Sequence, residues 1–238
     1  MATSRDEAAA LNNAEWCAAV WRSHGLPVEE ALGLWFCTQP VPRTYPNIVT
    51  VNLTAEPVQQ AKFIAGLMRA FPSLNATVKD SFANLDLRPA RFEPQFDAYW
   101  MLRSAQATLV SPADAALRWR KISSDKDLTA WEDAQRGKFR SGKRIFVPQL
   151  LQDAKVIVLG GFDERGAIRA GGIAYDSAGV LGITNVFGAD GAFVRALVAR
   201  HPESAIVRYE SGDDVRTAEQ SGFRPLGPLR IWSRIGWT

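Results

Sequence analysis

The sequence predicts an α+β protein, and two observations lead to this fold class. First, β-rich stretches at residues 155–162, 167–175 and 180–187 are separated by short turns that contain Asp and Gly, which is typical of antiparallel hairpins. Second, helical and extended patterns alternate after residue 190. The composition, 47% hydrophobic and 22% charged, is that of a globular chain and excludes intrinsic disorder.

The first half of the chain combines two helical patterns with short extended segments. Apolar spacing predicts a helix over residues 6–23. A second helix is expected over 57–71, where proline occupies the first turn, a position that tolerates the missing N–H. Segments 32–36 and 48–53 are apolar or β-branched and predict strands. A long extended stretch rich in aromatic residues is expected over 91–103.

The second half predicts a strand and a helix before the three hairpin strands, and alternating elements after them. Ser124 is placed to cap a helix that runs to Gln135, because serine is a preferred N-cap. The other expected elements are a strand over 115–122, a helix over 190–200, a strand over 205–209, a helix over 213–221 and a final pair of strands after Gly222.

A break at Ser111-Pro112 predicts a domain boundary. The chain has 238 residues, and at about 100–200 residues per domain this length allows one large domain or two small ones. We therefore expect a first domain over 1–110 and a second over 111–238.

Composition also limits the classes of function. The two cysteines, Cys17 and Cys37, make neither a disulfide framework nor a zinc site and indicate a reducing compartment. His24 and His201 are the only histidines, too few for a histidine metal cluster. Residues 1–13 lack the apolar region of a signal peptide, and no apolar run is long enough to span a membrane. We therefore expect a cytoplasmic protein without a membrane partner.

The densest basic stretch has two interpretations. The net charge of the chain is only +3, and the cluster consists of Arg136, Lys138, Arg140, Lys143 and Arg144. It is a solvated loop after a helix, or it contacts phosphate or an acidic partner through charge. Only one aromatic residue, Phe139, lies within it, so a single-stranded nucleic-acid platform is not indicated.

Two segments repeat the same order of patterns. Residues 46–103 span 58 positions and residues 179–234 span 56. Each begins with a β-branched strand that contains Thr and Asn, and each continues with a helix that ends before a proline, Pro72 or Pro202. Each closes with an extended stretch that ends in Trp and Arg. The pattern predicts two related modules packed about a pseudo-two-fold axis, the first of them partial.

The end of the chain resembles the GNAT (general N-acetyltransferase) superfamily. The most specific match is residues 218–223, Ala-Glu-Gln-Ser-Gly-Phe, followed by Leu226-Gly227 and Ile231-Trp232. It is similar to the family's last helix, the Gly-Phe turn and the next strand. The resemblance covers roughly 115–238, and its element order is that of the family. It implies a mixed sheet flanked by helices, with the first half as a partial, degenerate copy.

The resemblance also implies a site and a reaction. In the family, acyl-CoA lies where the fourth and fifth strands splay apart, and a loop before the next helix binds the diphosphate through backbone N–H groups. The fourth strand would be 180–187. The implied acyl-CoA contacts are the strand N–H donors Ile183 and Asn185 and the loop residues Gly188, Ala189, Gly191 and Ala192. The expected cosubstrate is acetyl-CoA or another acyl-CoA, and the acceptor is a small-molecule or peptide amine.

This sequence departs from the family in two places. No register of residues 186–196 satisfies the family's loop pattern, and Asp190 would face a diphosphate of like charge, so we expect Asp190 to be a helix N-cap instead. The family's proton-donating Tyr is replaced by Ala218. Tyr209 and Glu210, at the end of the fifth strand, are the nearest candidates for proton transfer; alternatively, they are a strand aromatic and a solvated carboxylate.

Three functions remain open from the sequence. The first is an acyl-CoA-dependent N-acyltransferase. The second is a GNAT-like protein that binds a ligand or partner without catalysis, which the altered loop and Ala218 favour. The third is an RNA- or protein-binding module that uses the basic stretch at 136–144, although the modest charge makes a nucleic-acid partner the least expected.

Overall fold

A computed structural model describes residues 4–108, 117–137 and 143–235 of the chain. Its helices are α1 (Arg5–Ser23), α2 (Pro57–Ala70), α3 (Asp125–Arg136), α4 (Asp190–Val198) and α5 (Asp214–Gln220). Its strands are β1 (Glu29–Ala31), β2 (Leu34–Phe36), β3 (Ile48–Thr50), β4 (Thr77–Asp80), β5 (Phe92–Arg103), β6 (Arg118–Lys121), β7 (Val156–Phe162), β8 (Ile168–Ser177), β9 (Val180–Phe187), β10 (Ile206–Glu210) and β11 (Arg224–Arg234). Short 3₁₀ helices occupy Arg88–Ala90 and Pro148–Gln152.

The described residues divide into two compact units. The first unit takes its residues from Met1–Trp100, Tyr209–Gly212 and Pro225–Thr238, and the second from Met101–Arg208 and Asp213–Arg224. The domain boundary expected at 110/111 lies outside the described residues. The end of the chain therefore belongs to the first unit, and each unit is assembled from segments that are far apart in sequence.

In the first unit the strands follow the order β1-β2-β3-β4-β11-β5. β2 pairs antiparallel with β1 and β3, whereas β3 and β4 are parallel. Helix α2 contributes Ile64 and Met68 to a buried cluster that also contains Val78 and Trp232. Burial of these apolar side chains is the main stabilising contribution to the unit.

In the second unit the strands follow the order β10-β9-β8-β7-β6. β6 to β9 form antiparallel pairs, and β10 returns parallel to β9. Helix α4 places Phe193 and Leu197 in a buried cluster of this unit. Gly172 of β8 makes this possible, because a Cβ atom there would lie 2.6 Å from the Phe193 ring.

Most elements with local sequence signals are confirmed. These include α1, α2, the three hairpin strands and α3, whose N-cap Ser124 accepts a hydrogen bond from the Asp127 N–H. The final pair of strands after Gly222 is wrong, because β11 is one continuous strand that pairs with β4 from Arg230 to Ser233. β1 and β4 were not expected from the sequence, because two residues of each are charged: Glu29 and Glu30 in β1, Lys79 and Asp80 in β4.

The two units contain a similar succession of elements. In the first, β3 pairs antiparallel with β2 and, across α2, parallel with β4. In the second, β9 pairs antiparallel with β8 and, across α4, parallel with β10. Their origin as a repeat remains a prediction. No helix in the described part of the chain has both the length and the apolar character needed to cross a bilayer.

Candidate functional site

β9 contains an irregularity in the middle of the second unit. Its parallel register with β10 consists of two residue pairs, the second of them Gly182 with Val207. On its other side, Ile173 faces Thr184 but Gly171 faces Phe187. β9 therefore contains one residue more than β8 over this interval, which is a β-bulge. The bulge contains Asn185, whose φ is +54°, a conformation that asparagine tolerates better than most residues.

Helix α3 holds the bulge in place. Gln135 Nε2 donates to Asn185 Oδ1 at 3.1 Å and to the Asn185 carbonyl at 3.3 Å. Asn185 Nδ2 in turn donates to Thr184 Oγ1 at 3.1 Å. Of the two expected N–H donors, Ile183 is buried opposite Ala174 in the regular ladder, and Asn185 lies at the bulge. No feature of the sequence indicated that Gln135 contacts Asn185, because the two residues are 50 positions apart.

The loop expected before α4 consists only of Gly188 and Ala189, because α4 begins at Asp190. Gly188 has a φ of +72°, and a Cβ atom there would lie 2.8 Å from Ala170. This contact with β8 gives Gly188 a structural reason to be glycine. Ala189 is the N-cap of α4 and makes no side-chain capping bond. The expectation that Asp190 caps the helix is therefore wrong, since Asp190 is the first helical residue.

The carboxylate of Asp190 binds Arg208 rather than the N–H groups of its own helix. Arg208 Nη1 lies 2.7 Å from Asp190 Oδ1, and the side chains are 14% and 26% exposed, respectively. Asp190 Oδ2 is buried and has no hydrogen-bond partner among the described residues. The Arg208 guanidinium also lies over the Phe223 ring, 5.6 Å from its centroid. A cation thus stands beside the first turn of α4, where sequence reasoning found only an anion.

The first turn of α4 can bind an anion through its backbone. Its first N–H groups, those of Asp190, Gly191 and Ala192, precede any possible i−4 partner within the helix. The Phe193 N–H is the first that bonds within it, to the Ala189 carbonyl at 3.0 Å. The helix dipole adds positive potential at this end. Together with Arg208, these groups provide donors suited to phosphate.

Tyr209 and Glu210, the candidates for proton transfer, are the last two residues of β10 and belong to the first unit, whereas β10 up to Arg208 belongs to the second. The Tyr209 ring meets the Trp100 ring edge-to-face, with centroids 5.7 Å apart. Lys79 Nζ lies 4.2 Å from the centre of the Tyr209 ring. Both Tyr209 and Glu210 are partly buried, which does not match a fully solvated carboxylate at a strand end.

Lys79 was missed by sequence reasoning, although it is one of the few buried charges. It is 4% exposed and donates to Asn13 Oδ1 at 2.8 Å. A cation over an aromatic face stabilises the ring's position, so Lys79 and Trp100 together hold Tyr209. Ala218 is buried in the core cluster with Phe223 and has no group that can transfer a proton.

The basic stretch is partly neutralised within the second unit. Glu132, 2% exposed, binds Arg136 Nη2 at 2.5 Å and Arg144 Nε at 3.4 Å. Arg144 also binds Asp125 at 2.8 Å. Lys138 and Arg140 lie outside the described residues. Two of the five basic side chains therefore take part in internal ion pairs, which favours a structural interpretation of this stretch.

The cysteines show no sign of chemical activation. Both are free and buried. Burial raises the pKa of the Cys17 thiol to about 11 and also raises the pKa of Cys37. A thiol must ionise to act as a nucleophile, so neither is suited to catalysis. Across 4–108, 117–137 and 143–235, no group of three or more His, Cys, Asp or Glu side chains is arranged to hold a metal ion.

Comparison with solved structures decides the fold. A GCN5-related N-acetyltransferase from Kribbella flavida is 12% identical with a TM-score of 0.66, over 97% of this chain and 96% of the other. The chain has a GNAT fold. A GCN5-related N-acetyltransferase from Sphaerobacter thermophilus is also 12% identical with a TM-score of 0.57, over 99% of this chain and 96% of the other. A functionally unknown conserved protein from Staphylococcus epidermidis is 11% identical with a TM-score of 0.62, over 87% and 92%.

The GNAT likeness is structural and extends over nearly the whole chain. The resemblance in the sequence covered only residues 115–238, whereas the structural match includes the first half as well. No sequence model of a protein family and no curated protein matches the chain. At this level of identity the likeness establishes the fold, and the activity has to be argued from the residues.

Proposed function

We propose that the protein is an N-acyltransferase that transfers an acyl group from acyl-CoA, first of all acetyl-CoA, to an amine. The observation that supports this most is the path of β9. Its parallel pairing with β10 has only two residue pairs, its bulge at Asn185 follows, and Gly188 then leads into the N-terminus of α4. A strand edge with backbone groups followed by a helix N-terminus suits an extended arm that ends in a diphosphate.

The residues of the second unit fit acyl-CoA, except that Asp190 places a negative charge beside the expected diphosphate. The backbone of β9 around Ile183 and Asn185 would bind the pantetheine arm. The first-turn N–H groups of α4 would bind the diphosphate, with Arg208 as a cationic donor. Asp190 opposes this binding by its charge. Arg208 would therefore exchange its bond with Asp190 for one with phosphate.

The chemistry requires two proton movements. The neutral amine attacks the thioester carbonyl, and the C–N bond forms while the carbonyl oxygen becomes an oxyanion, stabilised by a β9 N–H. The tetrahedral intermediate then breaks its C–S bond and releases amide and CoA thiolate. In this proposal Glu210 accepts the amine proton through water, and Tyr209 donates a proton to the thiolate.

A non-catalytic GNAT-like binding protein is the second candidate. Two observations favour it: Ala218 lies in the core where the family has a proton donor, and Arg208 is already paired with Asp190. In this case the same β9 and α4 groups would bind a CoA-like ligand without turnover.

Calorimetric titration with acetyl-CoA, followed by an assay of CoA thiol release, separates the candidates. The amine panel would include small amines and peptides. Binding with turnover supports the transferase, and binding without turnover supports the second candidate. Absence of binding would refute both. Gly191→Trp should abolish binding by blocking the α4 N-terminus, whereas Gly66→Trp in α2, where a Cβ has 3.8 Å of space, is the matched control.

A further inference from the structure

A cavity of about 400 Å³ lies in the first unit between α2 and residues 84–90. One wall is formed by Val58, Ala61 and Ala65 of α2, and the other by Pro89 and Ala90 of the 3₁₀ helix. These side chains are apolar, and the volume lies within the range of small-molecule sites. None of the groups assigned to acyl transfer lines this cavity.

The lining contains one ammonium and one carboxylate, and the carboxylate is already paired with an arginine outside the lining. Lys62, Asn84 and Asp86 line it. Asp86 Oδ1 already accepts from Arg88 Nη1 at 3.1 Å and from the Arg88 N–H at 3.3 Å. Lys62 and Asn84 are both exposed, and among the described residues neither Lys62 Nζ nor the Asn84 side-chain amide has a hydrogen-bond partner. The polar groups that remain available are therefore an ammonium group and a side-chain amide, which can donate and accept.

We propose that this cavity binds a small carboxylic acid with an apolar chain. The chain would lie between α2 and the 3₁₀ helix, and the carboxylate would accept hydrogen bonds from Lys62 Nζ and the Asn84 amide. The Lys62 ammonium is a charged donor for a carboxylate and repels a protonated amine, whereas the Asn84 amide can donate to a carboxylate but can also accept from an amine. Asp86, the one carboxylate of the lining, is already paired with Arg88. This site goes beyond the proposed acyl transfer and needs no acyl-CoA.

Three probes with the same chain and different charge test the proposal: octanoate, octanamide and octylamine. Methyl resonances of Val58, Ala61 and Ala65 in the full chain report binding at the cavity. We expect octanoate to bind up to about fivefold more tightly than octanamide, the upper end for an exposed ion pair, and octylamine to bind more weakly than either. Tighter binding of octylamine, equal affinity of the three, or no shift with octanoate would overturn the proposal.

Two variants locate the groups responsible. Lys62→Met should reduce octanoate affinity to that of octanamide, while Lys126→Met, an exposed lysine of α3, should leave it unchanged. Ala65→Leu should fill the cavity and remove binding of all three probes. If that variant does not fold, Val58→Trp, at a position 62% exposed, obstructs the same wall. Octanoate binding that survives the filled cavity would show that the acid binds elsewhere and would refute the assignment.

Discussion

Replacing Gly172 with alanine tests how closely α4 is seated on β8. The new Cβ would lie 2.6 Å from the Phe193 ring, and Phe193 is fully buried. Because the ring cannot turn away without moving its neighbours, overpacking of this kind costs about 1–3 kcal/mol. We expect Gly172→Ala to lower the free energy of unfolding by that amount, measured by urea denaturation followed by tryptophan fluorescence.

Gly66→Ala in α2 is the matched control for the same chemical change. A Cβ there has only the Arg69 side chain nearby, at 3.8 Å. Alanine should therefore stabilise the protein by about 0.5–1 kcal/mol, the propensity difference in a helix interior. The same Gly→Ala substitution should thus lower the free energy of unfolding at position 172 and raise it at position 66.

A double variant attributes the cost to the contact with Phe193. Phe193→Leu shortens the ring side chain and should relieve part of the penalty of Gly172→Ala, with a coupling energy of about 0.5–3 kcal/mol. A neutral or stabilising effect of Gly172→Ala would refute the close packing of α4 on β8. Strict additivity of Gly172→Ala and Phe193→Leu in the double variant would refute it as well.

Three further predictions concern the charges and protons. Asp190→Asn should raise acetyl-CoA affinity by about threefold to tenfold, since it removes an anion from the α4 N-terminus and breaks the ion pair with Arg208; calorimetry showing a lower affinity would contradict this. Tyr209→Phe and Glu210→Gln should each lower turnover by about 10²–10⁴, and rates within about threefold of the parent would exclude both residues. The pKa of Cys17 is raised from 9.0 to about 11 by burial, so its contribution to stability is complete below pH 9.0 and is lost as the pH rises through 11. Cys17→Ala should therefore remove this part of the decrease in the free energy of unfolding at alkaline pH, measured by urea denaturation over a pH series.

Elements with a complete local signal were predictable. The hairpin strands β7 to β9 are bounded by turns that contain Asp and Gly, and α3 begins at Ser124, whose hydroxyl bonds a residue three positions away. β4 gave no such signal, because two of its four residues are the charged Lys79 and Asp80. Each is stabilised by contacts from elsewhere in the fold: Asn13 accepts from Lys79, and the Leu85 N–H donates to Asp80 at 2.9 Å.

By itself, the sequence determined the α+β class and the order of most elements, because short-range hydrogen bonds and apolar periodicity depend on residues close together in the chain. The resemblance to the GNAT superfamily came from the motif at residues 218–223. Only the tertiary structure decided what the polar residues contact. Aspartate is a preferred residue type at a helix N-cap, yet the carboxylate of Asp190 binds Arg208, 18 residues away. Lys79 reaches Tyr209 across 130 positions. These contacts depend on which strands are neighbours in the sheet. Strand pairing in turn depends on the burial of apolar side chains over a whole unit and not on a local sequence pattern.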